Sequence, residues 1–313
     1  MANRLKPPRI EHVVDGERLR AQLTAAALDN IGDETATRRR ALQLLSGALF
    51  RGRMIAQEWL EDGGRGMETA RLLSAVQDEV IAALWDFTTV HVFRSRNPTK
   101  GERLCVVAVG GYGRGELAPS SDIDLLFLRA YKQTAWAESV IEYMLYMLWD
   151  MGLKVGHSSR TIEECLKLAR EDHTIATAIL DARILSGDEK LFGELMQRYR
   201  GELIPGQEAV YAQAKLSERD DRHSRSGASR YLVEPNLKDG KGGLRDLHTI
   251  GWIAKFIYGV MNEDDFVRLD IFTRDEIIVM RRAADFLWTV RCHIHYLTGR
   301  GEERIAFDLQ PEM

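Results

Sequence analysis

Residues 104–128 read LCVVAVGGYGRGELAPSSDIDLLFL, and they carry the strongest fold signal in the chain. An apolar segment enters a glycine-rich turn, and a second apolar segment leaves it carrying Asp122 and Asp124. Because side chains alternate across a strand, two aspartates one residue apart project from the same face. Adjacent carboxylates repel each other unless a divalent cation lies between them. The stretch therefore predicts two strands joined by a glycine turn that faces a pair of metal-binding acids.

Glycine spacing distinguishes this turn from two common phosphate-binding loops. A Walker loop needs Gly-x-x-x-x-Gly-Lys-Ser/Thr, which the chain lacks. A Rossmann turn needs Gly-x-Gly-x-x-Gly at the start of a helix, but counting from Gly111 and Gly113 the third position is Glu116. The spacing fits the nucleotidyltransferase site of the DNA polymerase β type, in which the turn leads into a strand bearing Asp-x-Asp. An ordinary glycine hairpin with a solvated Asp pair is the alternative, but it does not explain acids within an apolar strand.

The predicted site binds a nucleoside triphosphate and its magnesium ions. Gly110 and Gly111 let the backbone approach the β- and γ-phosphates, and Asp122 and Asp124 hold Mg²⁺ ions that bridge those oxygens. Arg114 is expected to place a positive charge at the leaving pyrophosphate. The predicted catalytic residues are therefore the two aspartates.

A second candidate segment, residues 231–247, reads YLVEPNLKDGKGGLRDL. Lys238, Lys241 and Arg245 surround a glycine turn that opens a helix, and helix N-termini attract phosphate. The pattern fits a capped, exposed loop as readily as a ligand contact, so both interpretations stay open. Lys238 and Arg245, together with Ser121 beside the Asp pair, complete the predicted nucleotide-binding residues.

The composition and charge of the chain limit the classes of partner that we expect it to bind. The chain has 43 Lys and Arg against 47 Asp and Glu, a formal net charge of −4, which argues against nucleic acid as the main partner. No apolar run approaches the ~20 residues that span a bilayer, and the N-terminus lacks the apolar core of a signal peptide. We therefore expect no membrane partner and a cytoplasmic location. Cys105, Cys165 and Cys292 show no paired spacing, so we expect reduced core thiols.

Hydrophobic periodicity predicts a small mixed sheet embedded in helices, an α+β fold. The core is expected to run strand, turn, strand, helix, strand, with its last strand at 153–159. After Thr161 we predict only helices, interrupted by the glycine-rich segment 224–243. We expect the chain to divide into a polar N-terminal arm (1–33), a helical hairpin (34–95), a nucleotidyltransferase core (96–200) and a helical domain with the Lys/Gly-rich loop (201–313).

Together these segments resemble the uridylyltransferase part of the bacterial PII uridylyltransferase/uridylyl-removing enzyme family. The run GGYGRGELAPSSDID at 110–124 carries most of the match. Similar stretches are VGHSSRT at 155–161, the Asn-Leu-Lys to Arg-Asp-Leu segment at 236–247, and HYLTGR at 295–300. The resemblance covers residues 35–313, and the joint occurrence of these motifs is highly specific.

The resemblance implies magnesium-dependent transfer of UMP from UTP to a tyrosine of the PII nitrogen-regulatory protein, with release of pyrophosphate. It implies that Gly110 and Gly111 bind the triphosphate and that Asp122 and Asp124 bind magnesium. The family also carries a His-Asp phosphohydrolase domain and two ACT domains. This chain contains no His-Asp dipeptide, so we expect a fragment holding the transferase part of a bifunctional enzyme.

One departure from the family pattern leaves alternatives open. Polymerase β-type sites usually carry a third carboxylate on a later strand, and the predicted strand at 153–159 has none. Asp181, Glu163 and Glu234 are candidates among which the sequence does not choose, and His157 is a candidate for a substrate-side role. The alternatives are an adenylyltransferase of the glutamine synthetase type, which shares the glycine turn and the Asp pair, and a nucleotide-binding module without turnover, which the absent carboxylate favours.

Overall fold

The fold is built around a four-stranded mixed sheet. A computed structural model describes residues 6–95, 99–225, 232–260 and 262–313. The strands are β1 (Leu104–Ala108), β2 (Ile123–Arg129), β3 (Val155–Arg160) and β4 (Arg183–Gly187). Their order is β3-β2-β1-β4. Strand β1 pairs antiparallel with β2 and β4, and β2 pairs parallel with β3. Because β1 and β2 are central and covered on both faces, they read as nearly continuous apolar runs.

Helices surround this sheet. In the described part of the chain the α-helices are α1 (Ile10–Val13), α2 (Gly16–Asp29), α3 (Glu34–Glu61), α4 (Gly66–Phe87), α5 (Gly110–Gly113), α6 (Ala135–Asp150), α7 (Ile162–Glu171), α8 (His173–Leu180), α9 (Glu189–Arg198), α10 (Glu208–Arg225), α11 (Leu244–Tyr258), α12 (Glu263–Arg268) and α13 (Arg274–Thr298). The predicted α+β class and the order strand, turn, strand, helix, strand are confirmed. None of these helices is long and apolar enough to cross a membrane.

Two hydrophobic cores cover the two faces of the sheet. On one face, Phe127 of β2 belongs to the same buried cluster as Leu45 of α3 and Val80 of α4. On the other face, Leu126 of β2 packs in a cluster with Leu166 of α7. The N-terminal helices therefore share a core with the sheet, and the sheet is held between two helical layers.

Residues 10–29 do not form the irregular arm that was predicted within residues 1–33. They form α1 and α2, and Leu19 and Leu23 of α2 are buried. The prediction was wrong because the apolar stripe of α2 is narrow, so its helical periodicity is weak. Burial of Leu19 and Leu23 in the core shared with α3 and α4 stabilises the helix instead, beside ion pairs from Arg20 to Glu79 and Asp86 of α4.

The prediction that only helices follow Thr161 is also wrong at residues 183–187. Helix α8 stops at Leu180, and Arg183–Gly187 form β4 at the free edge of β1. A short apolar run such as Ile184-Leu185 fits a strand or a helix equally well by periodicity. The unpaired backbone groups of β1 decide the outcome, because pairing satisfies them. Residues 226–231 of the predicted glycine-rich interruption at 224–243 lie outside the described residues.

The three cysteines are free and buried, as predicted for core thiols. Burial raises the pKa of Cys105 to about 12, with a smaller contribution from the charge of Asp188. A thiol with so high a pKa stays protonated near neutral pH. The cysteines therefore pack as small apolar side chains.

Candidate functional site

The glycine turn is more compact than predicted. Residues 110–113 wind into the single helical turn α5, and a loop then leads to β2. Gly110 has a φ of 61°, in the left-handed region that favours glycine. A Cβ on Gly113 would lie 2.3 Å from the backbone oxygen of Asp181, so only glycine fits this approach. Val109 N donates to Asp124 O at 3.0 Å, which fixes the turn beside β2.

Asp122 and Asp124 lie at the start of β2 and line one cavity with the glycine turn. Both are exposed, although Ile123 and Leu125 between and beside them are 1% exposed. The pKa of Asp124 is raised, first by desolvation and then by the charge of Asp122, with Lys238 acting in the opposite direction. The two carboxylates therefore act on each other electrostatically. Such a pair fits Mg²⁺, which proteins commonly bind through one or two carboxylates plus substrate phosphates.

Gly156 of β3 lies directly beside Asp124. The two residues are partners in the parallel ladder, and a Cβ on Gly156 would lie 2.3 Å from Asp124 Oδ1. The Asp124 carboxylate thus occupies the space that a side chain at position 156 would need. His157 faces the opposite side of the sheet, because side chains alternate. Its ring contacts Trp149 with centroids 6.0 Å apart.

The three candidates for a third carboxylate all have other partners. Asp181 lines the cavity, but its side chain is 0% exposed and it accepts from Arg114 Nη1, Trp252 Nε1 and Lys255 Nζ at 2.7–2.9 Å. Glu163 pairs with Arg198, and Glu234 accepts from Phe307 N. Among the described residues no group of three or more His, Cys, Asp and Glu side chains could hold a metal ion. The Asp pair is therefore the candidate metal site.

The Arg114 guanidinium is already bound by protein groups. Besides Asp181, Arg114 Nε donates to Glu116 at 3.1 Å, and Arg114 Nη2 lies 3.5 Å from His248 Nδ1. Burial and then the charge of Arg114 lower the pKa of His248 to about 4, so this imidazole is neutral at pH 7. Burial alone would raise the pKa of Glu116, but the contacts with His248 and Arg114 outweigh it and lower the value to about 2. Arg114 therefore ties the glycine turn to α8 and α11, while its role at the pyrophosphate stays a prediction.

The structure brings Lys238 to the cavity of the Asp pair. Asn236 Oδ1 accepts from the N–H groups of Lys238 at 2.9 Å and Asp239 at 2.6 Å. Leu237 N donates to Glu303 O at 2.8 Å, which fastens the loop to the C-terminal segment. Burial lowers the pKa of Lys238, and the nearby Glu303 carboxylate, 3.9 Å from its Nζ, opposes that effect. The Lys/Gly-rich loop is thus a fixed wall of the cavity.

The other predicted residues divide between the cavity and the surface. Ser121 and Arg245 line the cavity. Ser121 Oγ accepts from Ala118 N, and Arg245 lies 5.6 Å above the Trp252 ring. Lys241 is exposed.

Several cavity residues were missed by reasoning from the sequence. On α10 they are Lys215 and Arg222; elsewhere they are His248, Arg291, His295 and Glu303. One signal was available: Tyr211, Lys215 and Arg222 follow the spacing of a buried helical stripe, where apolar residues are expected. Cations in such a stripe indicate a polar cavity rather than a core.

The sheet, the helical layers, the glycine turn and the Asp pair define the class: a nucleotidyltransferase domain of the polymerase β type. The chain is 65% identical over all 313 residues to the bifunctional uridylyltransferase/uridylyl-removing enzyme of Phenylobacterium zucineum (strain HLK1) and 63% identical to that of Caulobacter vibrioides (strain NA1000 / CB15N). It covers 33% of each relative's length. The resemblance seen in the motifs is confirmed: the whole chain is homologous to one third of these bifunctional enzymes.

Two family models match different parts of the chain. The model described as GlnD PII-uridylyltransferase matches residues 211–313, which include the Lys/Gly-rich loop. The model described as glutamate-ammonia ligase adenylyltransferase matches residues 4–148, which include the glycine turn and the Asp pair. The first segment of the site is thus shared between two kinds of nucleotidyltransferase.

Proposed function

We propose that this chain transfers UMP from UTP to a tyrosine of a PII-type nitrogen-regulatory protein and releases pyrophosphate. The observation that carries the proposal is the Asp122–Asp124 pair, placed in one cavity with the glycine turn and Lys238. Whole-chain identity of 63–65% to enzymes named uridylyltransferase supports the choice of nucleotide.

In this proposal Asp122 and Asp124 hold Mg²⁺, which supplies positive charge to the phosphate oxygens. The backbone at Gly110 and Gly111 approaches the triphosphate, and Lys238 adds a donor from the wall of the same cavity. The tyrosine oxygen attacks the α-phosphorus, the bond to the bridging oxygen breaks, and pyrophosphate leaves. The hydroxyl, whose ordinary pKa is ~10, loses its proton to water as it attacks. The residues contribute mainly by positioning the reactants and stabilising charge.

The remaining features of the proposal concern the whole enzyme. We propose that the uridylyl-removing activity in the relatives' name belongs to the part of their length that this chain does not match, because the chain has no His-Asp dipeptide. We propose a cytoplasmic location, in keeping with UTP as substrate and three free buried cysteines.

The test is to incubate the chain with Mg²⁺, PII protein and labelled UTP, ATP or CTP in turn. Label on PII from UTP alone is expected, and incorporation should disappear when both Asp122 and Asp124 are changed to Asn. Asp264→Asn, on the exposed surface of α12, is the matched control and should keep full incorporation. Incorporation that survives the double change would refute the metal assignment.

A second candidate function is adenylyl transfer to glutamine synthetase. The match of residues 4–148 to the adenylyltransferase model favours it. It predicts label from ATP on glutamine synthetase in the same assay. Binding of UTP without transfer to either protein would instead indicate a nucleotide-binding module.

A further inference from the structure

Helix α10 presents two buried cations to the cavity. Lys215 is 3% exposed and Arg222 is 8% exposed, and both line the cavity that holds the Asp pair. They lie seven residues apart, so they are separated by about 10 Å along the helix axis. The stripe that faces the protein interior thus carries two positive charges in place of apolar side chains.

Neither cation is fully satisfied by its neighbours. Lys215 Nζ donates to Glu218 at 2.7 Å, whereas an ammonium group has three hydrogens to donate. Arg222 Nη2 donates to Asp246 at 2.5 Å, but Arg222 Nε is buried without a hydrogen-bond partner among the described residues. Spare donors therefore remain on both side chains at the cavity wall.

A ligand oxygen can take the place of the Glu218 carboxylate as the hydrogen-bond acceptor of Lys215. Its side chain is 47% exposed, while that of Lys215 is 3% exposed. The Lys215 ammonium also lies 5.3 Å from the Trp252 ring centroid, an attractive but non-hydrogen-bonding contact. A ligand oxygen that replaces the Glu218 carboxylate keeps the buried ammonium paired, and the released carboxylate, already 47% exposed, turns into solvent where water hydrates it.

A purely structural role explains these cations poorly. Burying a charged donor without full pairing is costly, and an apolar side chain of similar volume usually serves stability as well or better. A ligand that carries only acceptor oxygens in this region would offset that cost. Ammonium and guanidinium groups only donate, so they select oxygen acceptors over amino groups.

We propose that Lys215 and Arg222 form an oxygen-binding subsite for the nucleotide, contacting either its phosphate oxygens or a carbonyl oxygen of its base. This inference rests on the proposed function for the identity of the nucleotide. Before the nucleotide binds, the Glu218 carboxylate accepts a hydrogen bond from the Lys215 ammonium. When the nucleotide binds, its oxygen replaces that carboxylate.

The test measures binding of UTP, CTP and inorganic tripolyphosphate to the 313-residue chain by titration calorimetry, without PII. Lys215→Met should weaken UTP binding by about ten-fold or more, the usual effect of losing a charge-assisted hydrogen bond. Glu218→Gln should strengthen UTP binding, because the competing carboxylate is gone. Arg219→Met, the same loss of charge on the same helix but outside the cavity lining, should leave binding within two-fold.

The pattern of losses identifies the oxygen. Equal weakening of UTP, CTP and tripolyphosphate would assign phosphate oxygens. Weakening of UTP and CTP but not tripolyphosphate would assign the C2 carbonyl that both bases carry, and weakening of UTP alone would assign the C4 carbonyl that cytosine lacks. Thermal melting of Lys215→Met should show an unchanged or higher midpoint, which a structural role for Lys215 would not produce. Unchanged UTP affinity in Lys215→Met, or an equal loss in Arg219→Met, would overturn the proposal.

These outcomes are separable from those of the proposed function. Intact UTP binding with the expected variant pattern, but no labelling of PII, would refute only the transfer reaction. Labelling of PII with unchanged UTP affinity in Lys215→Met would refute only the subsite. A wild-type chain that fails to bind UTP would refute both.

Discussion

Replacement of Gly156 by alanine adds one methyl group beside Asp124 and so tests whether the position of the Asp124 carboxylate matters for transfer. The added Cβ would lie 2.3 Å from Asp124 Oδ1, whereas ordinary contact begins at 3.4 Å. The carboxylate oxygen must therefore move by about 1.1 Å. The backbone itself tolerates alanine, because Gly156 lies outside the left-handed region. The change thus displaces one predicted metal ligand and leaves the rest of the site in place.

We expect Gly156→Ala to slow transfer by about 100-fold, since a displacement of 1 Å in a catalytic group can have that effect. The measurement is the initial rate of UMP incorporation over a series of Mg²⁺ concentrations. The Mg²⁺ concentration for half-maximal rate should rise, because the displaced carboxylate binds the cation less well. The melting temperature should stay close to that of the wild type.

Gly193→Ala is the matched control for this experiment. Gly193 lies in α9, and a Cβ there has no atom within 4 Å. This change should leave transfer unaffected and stabilise the chain by about 0.4–1 kcal/mol, as glycine-to-alanine changes in helices do. A Gly156→Ala chain with wild-type rate and wild-type Mg²⁺ dependence would refute the role given to the Asp124 carboxylate.

The charges at the site give four further predictions. Asp122→Asn should lower transfer at least about 100-fold, as loss of a major electrostatic contact does; a smaller loss in the incorporation assay would count against Asp122 as a ligand. The same change removes the repulsion that raises the pKa of Asp124, so ¹³C NMR should show that carboxyl titrating at lower pH, and an unchanged titration would contradict this. In the wild type, Mg²⁺ requires the ionised carboxylate, so Mg²⁺ affinity should fall as pH drops through this raised pKa, which calorimetry at several pH values measures. Asp181→Asn leaves Arg114 and Lys255 facing a neutral amide, so urea unfolding should show a loss of about 3–5 kcal/mol, and a loss below about 1 kcal/mol would contradict the buried network.

The order strand, turn, strand and the Asp pair could be predicted because the information is local. The glycines and Asp124 lie within one short stretch, and the period of two along β2 places Asp122 and Asp124 on one face without reference to the rest of the chain. Helices such as α4 and α13 were likewise predictable from their own periodicity.

Other elements depended on partners that no local pattern reveals. Residues 183–187 became a strand because β1 offered an unpaired edge, and α2 is held by the burial of Leu19 and Leu23 in the core that it shares with α3 and α4. The position of Lys238 depends on Glu303, 65 residues further along. Hydrophobic periodicity indicates which side of a segment is buried. It does not identify the other segment against which that side packs.

The class of site could be inferred from the chain alone, since a glycine turn followed by paired acids on one strand face is typical of few other sites. Which charges meet there depends on the folded arrangement. Arg114 contacts Asp181 and His248, which lie 67 and 134 residues away in the sequence. Lys215 of α10 lines the same cavity. Charges interact according to their separation in space. Only folding brings residues that are so far apart in the sequence close enough to interact.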